Sequence, residues 1–543
     1  MLKIIKDTKA GQIIALSAII LYVILASRHI NLPGIQYDEV LQVPASIVFL
    51  KGDANGHYNR FGSTRIAGHF FILMNMEYIG ALRSYILLIP FRIFGIRISV
   101  YRLTNIAITA LALLFTYLFA KAFFGVTASL IGLWLTATDP SLIMLTRLDW
   151  GPVVLAFLFR ISSLFFLLKW WQSGGKTRFL VIAGALLGLG VYDKTNFMWF
   201  VMALIAVGAI AWWIDDGRPR ISFLGLLSAS GAGLITSIPL WIYNLKFGWL
   251  TFKMLNEGRR NMPLSSLIGL IPRRTRILVD WMNGMGPDRL MFGESLPGSL
   301  GWFRTLLLPL ALFSLVVLIS IAVKKKEWRL LFIPLLAVLI AIQTYLTPLP
   351  IGMHHWTMIS PFPHLVVGAA CGRANQWLKE WRYLKPVILS GFVLLICAVG
   401  MNLNAMSGYY DLMQRTGGTK HWSSEINNLS TVLKAQYPGR QIQLMDWGLG
   451  NTLFCLSEGE LYTHEPFWAY TKSSEPDEEL LKMVKDSSNV FVLNAPEGTS
   501  FPEARKAFYK AVSRSGVEVL REQKINDRRS NWVYSILELS KPK

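Results

Sequence analysis

The sequence predicts a polytopic α-helical membrane protein of about eleven transmembrane helices, followed by a C-terminal soluble α/β domain. Three observations carry this. Of 543 residues, 53% are hydrophobic and only 16% charged, with a mean hydropathy of +0.42, far from soluble globular composition. Apolar runs of span length, about 17–22 residues, recur along the first three quarters of the chain. From Leu403 onward the runs stop and charge balances, with 17 Lys and Arg against 17 Asp and Glu.

The predicted spans are 11–27, 103–120, 126–140, 151–169, 178–192, 196–214, 221–240, 302–323, 329–347, 356–373 and 386–402. The first follows Lys3, Lys6 and Lys9 and shows no small-residue cleavage site, so it reads as a retained helix. The apolar stretch 79–98 carries Arg83, Arg92 and Arg97 and reads as an amphipathic helix in the interface. The short loops set orientation. With the N-terminus inside, Lys121, Lys169, Lys176, Arg178, Arg218, Arg220, Lys324 to Lys326, Arg329, Lys379, Arg382 and Lys385 all fall inside, as the positive-inside trend asks. The C-terminal domain then lies outside. The expected organisation is a membrane domain over 1–403, with large outer loops 28–102 and 241–301, and an extracytoplasmic domain over 404–543. In the latter, helices are expected at 420–436 and 502–514, and strands at Gln441–Met445, Asn489–Leu493 and Trp532–Leu537.

The net charge of +21 resides wholly in the membrane part, which has 37 basic and 16 acidic residues. Among membrane helices, such a balance suggests lipid phosphates rather than nucleic acid. The two outer loops each hold eight basic and four acidic residues. Long loops translocate regardless of charge. The sharper reading is an anionic ligand at the outer leaflet, with Arg259/Arg260 and Arg273/Arg274/Arg276 the densest clusters. Cys371, Cys397 and Cys455 form neither a disulfide framework nor a metal motif. No Walker A or GxSxG motif is present, and Asp446-Trp447-Gly448-Leu449-Gly450-Asn451, a glycine turn that could cradle an anion, lacks the full dinucleotide fingerprint.

Several residues are candidates for chemistry. Asp38 and Glu39 sit about ten residues after the first span. They are either solvated loop acids, or a general base or ligands for a divalent cation. Asp149 lies between two spans, where an ionisable residue is costly and tends to be functional, although Arg147 could simply neutralise it. Asp139 ends the preceding span. Lys194, after Asp193 at a span end, could reach a lipid phosphate as a point charge. His354 and His355 precede a late span; adjacent residues do not share a helix face, which argues against a metal pair. His57, Arg60, Arg65 and His69 in the first loop complete the set.

These pieces, in this order, resemble the membrane glycosyltransferases of the GT-C fold, and within them the family of protein O-mannosyltransferases and lipid A aminoarabinose transferases (glycosyltransferase family 39-like). The resemblance rests on Tyr37-Asp38-Glu39 after the first span and on Tyr85 through Gly95 as interfacial helix, followed by Val100-Tyr101-Arg102-Leu103. Leu148-Asp149, Gly188-Leu189-Gly190 through Lys194, and His355 with Pro361 complete it. It covers residues 10–370. It implies a sugar donor on polyprenyl phosphate and transfer at the outer face of a bacterial inner membrane. It also implies Asp38 as base or acceptor-orienting acid, Asp149 as a second acid near acceptor or metal, and Lys194 with outer arginines on the donor phosphate. A divalent metal is used by some relatives and not by others; here Asp38, Glu39 and Asp149 are the candidate ligands. The Trp150-Gly151-Pro152 after Asp149 departs from the family pattern. The competing functions are a flippase for a lipid-linked saccharide, which would show inverted repeats, a non-enzymatic envelope assembly protein, and a polysaccharide ligase.

Overall fold

The computed structural model describes residues 9–52, 62–66, 69–215, 217–296, 303–380 and 385–542. Helix α1 (Lys9–Ser27) leads into a loop and α2 (Val43–Lys51). Two small hairpins follow, β1 (Ser63–Ile66) with β2 (His69–Ile72) and β3 (Met74–Met76) with β4 (Ile79–Gly80). Then come α3 (Leu82–Phe94), α4 (Ile98–Phe124), α5 (Val126–Thr138), α6 (Pro140–Leu148), α7 (Val154–Gln172) and α8 (Thr177–Asp193). Next are α9 (Met198–Ile214), α10 (Phe223–Thr236) and α11 (Ile238–Lys246). The second large loop is helical, with α12 (Leu250–Asn261), α13 (Leu264–Gly269), α14 (Ile271–Met282) and α15 (Pro287–Phe292). The membrane part closes with α16 (Leu307–Lys325), α17 (Phe332–Leu346), the short α18 (Met353–Trp356), α19 (Phe362–Glu380) and the long α20 (Lys385–Thr416).

Each of the eleven predicted spans meets a helix. Among the described residues, seven helices are long and apolar enough to cross a membrane, or nine if the bent pairs α5–α6 (63°) and α10–α11 (59°) each count as one. The difference from eleven lies in α8, with 17 residues, and α19, whose C-terminal half carries Arg373, Lys379 and Glu380. Both pack among other helices. Small residues allow it: a Cβ at Gly188 would meet the Gly233 carbonyl oxygen of α10 at 2.1 Å, and one at Gly368 the Ala128 oxygen of α5 at 2.3 Å. Without a hydrophobic drive between helices, such close backbone approach supplies the packing. The outward faces are apolar, with Trp213 and Phe223 at least 80% exposed. This is a multi-pass integral membrane protein.

The C-terminal part holds α21 (Ile426–Gln436), β5 (Gln441–Leu444), α22 (Gly450–Leu456), β6 (Tyr462–His464), α23 (Glu478–Lys485), β7 (Val490–Asn494), α24 (Pro502–Arg514), β8 (Val519–Asn526) and β9 (Trp532–Leu539). The five-stranded sheet runs β6-β5-β7-β9-β8. Strand β5 is parallel to β6 and β7, and β9 is antiparallel to β7 and β8. On one side of the sheet Phe491, Leu493 and Leu537 pack with Phe508 and Ala511 of α24. The other side does not close on itself. There Leu429, Leu433, Leu444, Val490, Val492 and Ile536 form one core with Ile35, Val40, Val43 and Ile47 of the first loop and α2. The first loop is therefore built into the soluble domain, and that loop carries Asp38.

Candidate active site

The turn before Asp38 is irregular chain, so its carbonyls have no ladder to join. Two buried arginines supply donors. Arg147 on α6 donates to the carbonyls of Arg28 (3.0 Å), His29 (2.8 Å) and Leu32 (3.1 Å). Arg102 on α4 donates to those of Ile30 (2.8 Å) and Pro33 (3.0 Å). Arg147 is thus turned to the backbone of this turn, and it is Arg83, not Arg147, that lies near Asp149. Both of its terminal nitrogens bond to backbone carbonyls, as charged side chains at membrane depth tend to do.

Glu39 is likewise committed. Its carboxylate takes a two-pronged ion pair from Arg102, at 2.7 and 3.0 Å, with both side chains fully buried. Asp149 is the left-handed residue that ends α6 (φ 54°). Its Oδ1 accepts the backbone N–H of Val153 (2.7 Å) and Val154 (2.9 Å) at the start of α7, and its Oδ2 lies 3.8 Å from the buried Arg83. A carboxylate on orphan N–H groups at a helix start is a cap. Asp139 has a similar post, capping α6 through Leu142 N–H at 3.0 Å and meeting His364 at 2.8 Å.

Asp38 differs. It is half-buried, with its N–H donating to Gln36 Oε1 at 2.7 Å. Burial raises its carboxyl above the usual carboxylate range, opposed by the polar groups of Trp150 and Gln36 and by the charge of Lys194. Lys194, buried at the end of α8, donates to the Gly151 carbonyl at 2.7 Å. Gly151 has φ +75°, and a Cβ there would lie 2.3 Å from His354 Cδ2. The Trp-Gly-Pro departure thus has a local cause: the His354 ring occupies the space a side chain would need. Trp150 stands 4.9 Å from His354, centroid to centroid, and His354 lies 4.0 Å from His355. His355 Nδ1 accepts the Gly352 N–H at 3.1 Å. Burial pushes His355 down to about 3 and His354 well below its ordinary value. Both rings are neutral near pH 7, so they can offer N–H donors or lone pairs but no positive charge.

The histidine segment is held as the Asp38 turn is. Arg160 on α7 donates to the carbonyls of Thr357 (3.0 Å) and Ser360 (2.7 Å). Arg274 on α14 donates to those of Tyr345 (2.6 Å) and Leu349 (3.1 Å).

The soluble domain supplies a second wall that sequence reasoning missed. Tyr37 packs on Trp447 with centroids 5.2 Å apart, and its hydroxyl reaches Glu465 Oε2 at 3.5 Å. Trp447 also meets His421 (5.1 Å), and Trp422 meets Trp150 edge-on at 5.6 Å. Burial raises Glu465 to about 7. The only hint in the sequence was the Asp446-Trp447-Gly448 turn. Rather than cradling an anion, Asp446 Oδ1 accepts the N–H groups of Trp447 (2.8 Å) and Ser500 (3.2 Å).

Of the other candidates, Arg65 falls on β1 and Arg259 and Arg260 on α12, while Arg60 and His57 lie outside the described residues. The suggested metal ligands do not converge. Glu39 is spent on Arg102 and Asp149 on α7, and among the described residues no three His, Cys, Asp or Glu side chains are grouped to hold an ion. Among the described residues, Asp38, Glu39 and Asp149 do not fit a shared divalent cation.

Helix order, irregular outer loops and appended sheet domain define the GT-C glycosyltransferase fold. Similar solved structures include ArnT from Cupriavidus metallidurans in the apo state, with 13% identity, a TM-score of 0.60, and 96% of this chain and 97% of that one covered. ArnT bound to undecaprenyl phosphate gives 12%, 0.55, and 97% and 98%. The oligosaccharyltransferase of Archaeoglobus fulgidus tethered with an acceptor peptide gives 13%, 0.54, and 96% and 74%. Residues 81–243 match the family described as dolichyl-phosphate-mannose-protein mannosyltransferase, so the resemblance read in the sequence holds. No curated protein matches the chain.

Proposed function

We propose that this chain is a membrane glycosyltransferase that moves a sugar from a polyprenyl-phosphate donor to a hydroxyl or amine acceptor at the outer face of the membrane, with Asp38 as base. The observation that carries the reading is the division of labour among the acids. Glu39 and Asp149 are held by Arg102 and by the start of α7, whereas Asp38 is half-buried beside Trp150 and within the field of Lys194. Partial burial raises a carboxylate's basicity toward the range a general base uses. The family match at 81–243 and the undecaprenyl phosphate bound by ArnT support the donor class.

In this reading the acceptor oxygen or nitrogen attacks the anomeric carbon while Asp38 takes its proton. The bond from that carbon to the phosphate oxygen breaks, and the electron pair leaves with the phosphate. Cations near the leaving group stabilise the charge it gains. Lys194 would serve this, with Arg60, Arg65, Arg259 and Arg260 as further cations of the outer loops. His354 and His355, being neutral, contribute hydrogen bonds. The basic short loops support an inside N-terminus, which sets the site and the C-terminal domain outside.

The test is release of polyprenyl phosphate in nanodiscs from a panel of polyprenyl-phosphate sugars, with membrane extract as acceptor source. Wild type should release it from at least one donor, and folded Asp38→Asn should not. Wild-type-like turnover in Asp38→Asn removes Asp38 from the mechanism. No release from any donor sinks the transferase reading and makes a flipping assay the next step.

A further inference from the structure

We propose that Arg102 and Arg147 are positioning residues that hold Asp38 in its working geometry by gathering the carbonyls of the single turn 28–33 from two different helices. This rests on the reading of Asp38 as base. Five carbonyls of the turn, those of Arg28, His29, Ile30, Leu32 and Pro33, are accepted partners of these two guanidiniums. Both arginines are fully buried, so the bonds form in a medium where an unmet carbonyl is costly. Arg102 does more. While one nitrogen holds Ile30 and Pro33, the other two hold Glu39. It therefore grips the segment on both sides of Asp38 and neutralises the acid beside it. Arg147 sits on α6 two residues before Asp149, the residue that ends the helix, and three before Trp150, which lies in the surroundings of Asp38. The grip and the wall opposite the base thus come from one piece of backbone. A guanidinium suits the task because its planar fork spreads donors over several acceptors at fixed angles, which an ammonium does not.

Arg274 provides the comparison. It collects carbonyls in the same way, but on the segment leading to the histidines. General loosening of a buried clamp should look alike at either place. Loss of position at Asp38 should follow only from Arg102 and Arg147.

The experiment measures polyprenyl phosphate release against pH, with thermal unfolding, for wild type, Arg147→Lys, Arg102→Lys and Arg274→Lys in nanodiscs. The donor is one that wild type turns over. Arg147→Lys is expected to fold and to keep its donor KM within about twofold while kcat falls by roughly tenfold or more, the scale of a slightly misplaced catalytic group. The acid limb of its pH profile should move to lower pH, because a loosened turn admits water to a carboxyl that burial had raised. The charged and titratable groups that face Asp38 are Lys194 and Tyr78, with Glu39 adjacent in sequence, and Arg147→Lys alters none of them. Arg102→Lys should behave alike. Arg274→Lys should lose stability with its acid limb in place. Wild-type kcat and acid limb in Arg147→Lys overturn the proposal while leaving the transferase reading standing. So does an equal limb shift in Arg274→Lys. Recovery of neither Arg147→Lys nor Arg102→Lys as folded protein assigns both arginines to folding itself and also overturns it. A wild type silent on every donor overturns the base reading and this proposal with it.

Discussion

Gly151→Ala should separate the geometry of the site from its chemistry. The added Cβ would lie 2.3 Å from His354 Cδ2, against an ordinary carbon–carbon contact of about 3.5–4.0 Å. The ring must retreat by roughly 1.2–1.7 Å, or the 150–152 backbone must move by as much. A non-glycine residue at the observed φ of +75° adds about 1–2 kcal/mol of strain, and overpacking about 1–3 kcal/mol. The Gly151 carbonyl also accepts from Lys194, so either movement disturbs two candidate substrate contacts. A displacement on the order of 1 Å near the chemistry costs about a hundredfold in rate. The expected result is a kcat lower by roughly that factor, with a lower unfolding temperature. The decisive assay is a double-mutant cycle in thermal stability with His354→Ala. Removing the ring should relieve the clash, giving a favourable coupling of about 1–3 kcal/mol. Additive effects of the two changes, or wild-type turnover and stability in Gly151→Ala, would refute the steric argument.

Two further predictions concern the acids. Asp149→Asn keeps an Oδ1 acceptor for the Val153 and Val154 N–H groups. It should retain turnover within about tenfold and lose on the order of 1 kcal/mol of stability; complete loss in a folded variant would restore Asp149 to the chemistry. Glu465 binds its proton more tightly in the folded protein, at about 7 against an ordinary 4.5. The folded state therefore holds more protons between these values. The resulting stability is fully present below pH 4.5 and is lost as pH rises toward 7. The difference between wild type and Glu465→Gln in unfolding temperature should change over that window. His421, pushed down to about 4, titrates in the opposite sense in both proteins and cancels. A constant difference would show that Glu465 is not held in this way.

Helix positions in the membrane part, and in the soluble domain β5, β7, β9, α21 and α24, were legible because each leaves a local pattern, whereas β6, β8, α22 and α23 were not expected. Leu82–Phe94 is apolar with arginines at fixed places, and Gln441–Leu444 alternates beside a turn. The assignment of partners was not legible. Arg147 and Asp149 are two apart and of opposite charge, yet Arg147 bonds to carbonyls more than 100 positions away and Asp149 lies near Arg83. Much the same holds for Glu39 and Arg102, 63 positions apart. Part of the arginine excess in the outer loops and spans goes to unpaired backbone rather than to an anionic ligand. Trp447 and Glu465 were invisible for a related reason: aromatic and acidic residues in a soluble domain give no sign of the distant Tyr37 they meet.

The helix that joins the two halves has a mechanical consequence. Helix α20 contains 32 residues, about 48 Å of length, against roughly 30 Å of hydrocarbon. Its C-terminal half is braced in the helical core, with Met406, Tyr409, Tyr410 and Met413 buried there and Tyr410 donating to the Leu25 carbonyl of α1 at 2.6 Å, and the domain that follows it shares a core with the Asp38 loop. A shift of α20 against α1 would therefore reach the loop that bears Asp38 through the shared core, so the packing of this one helix couples the membrane part to the alignment of the base.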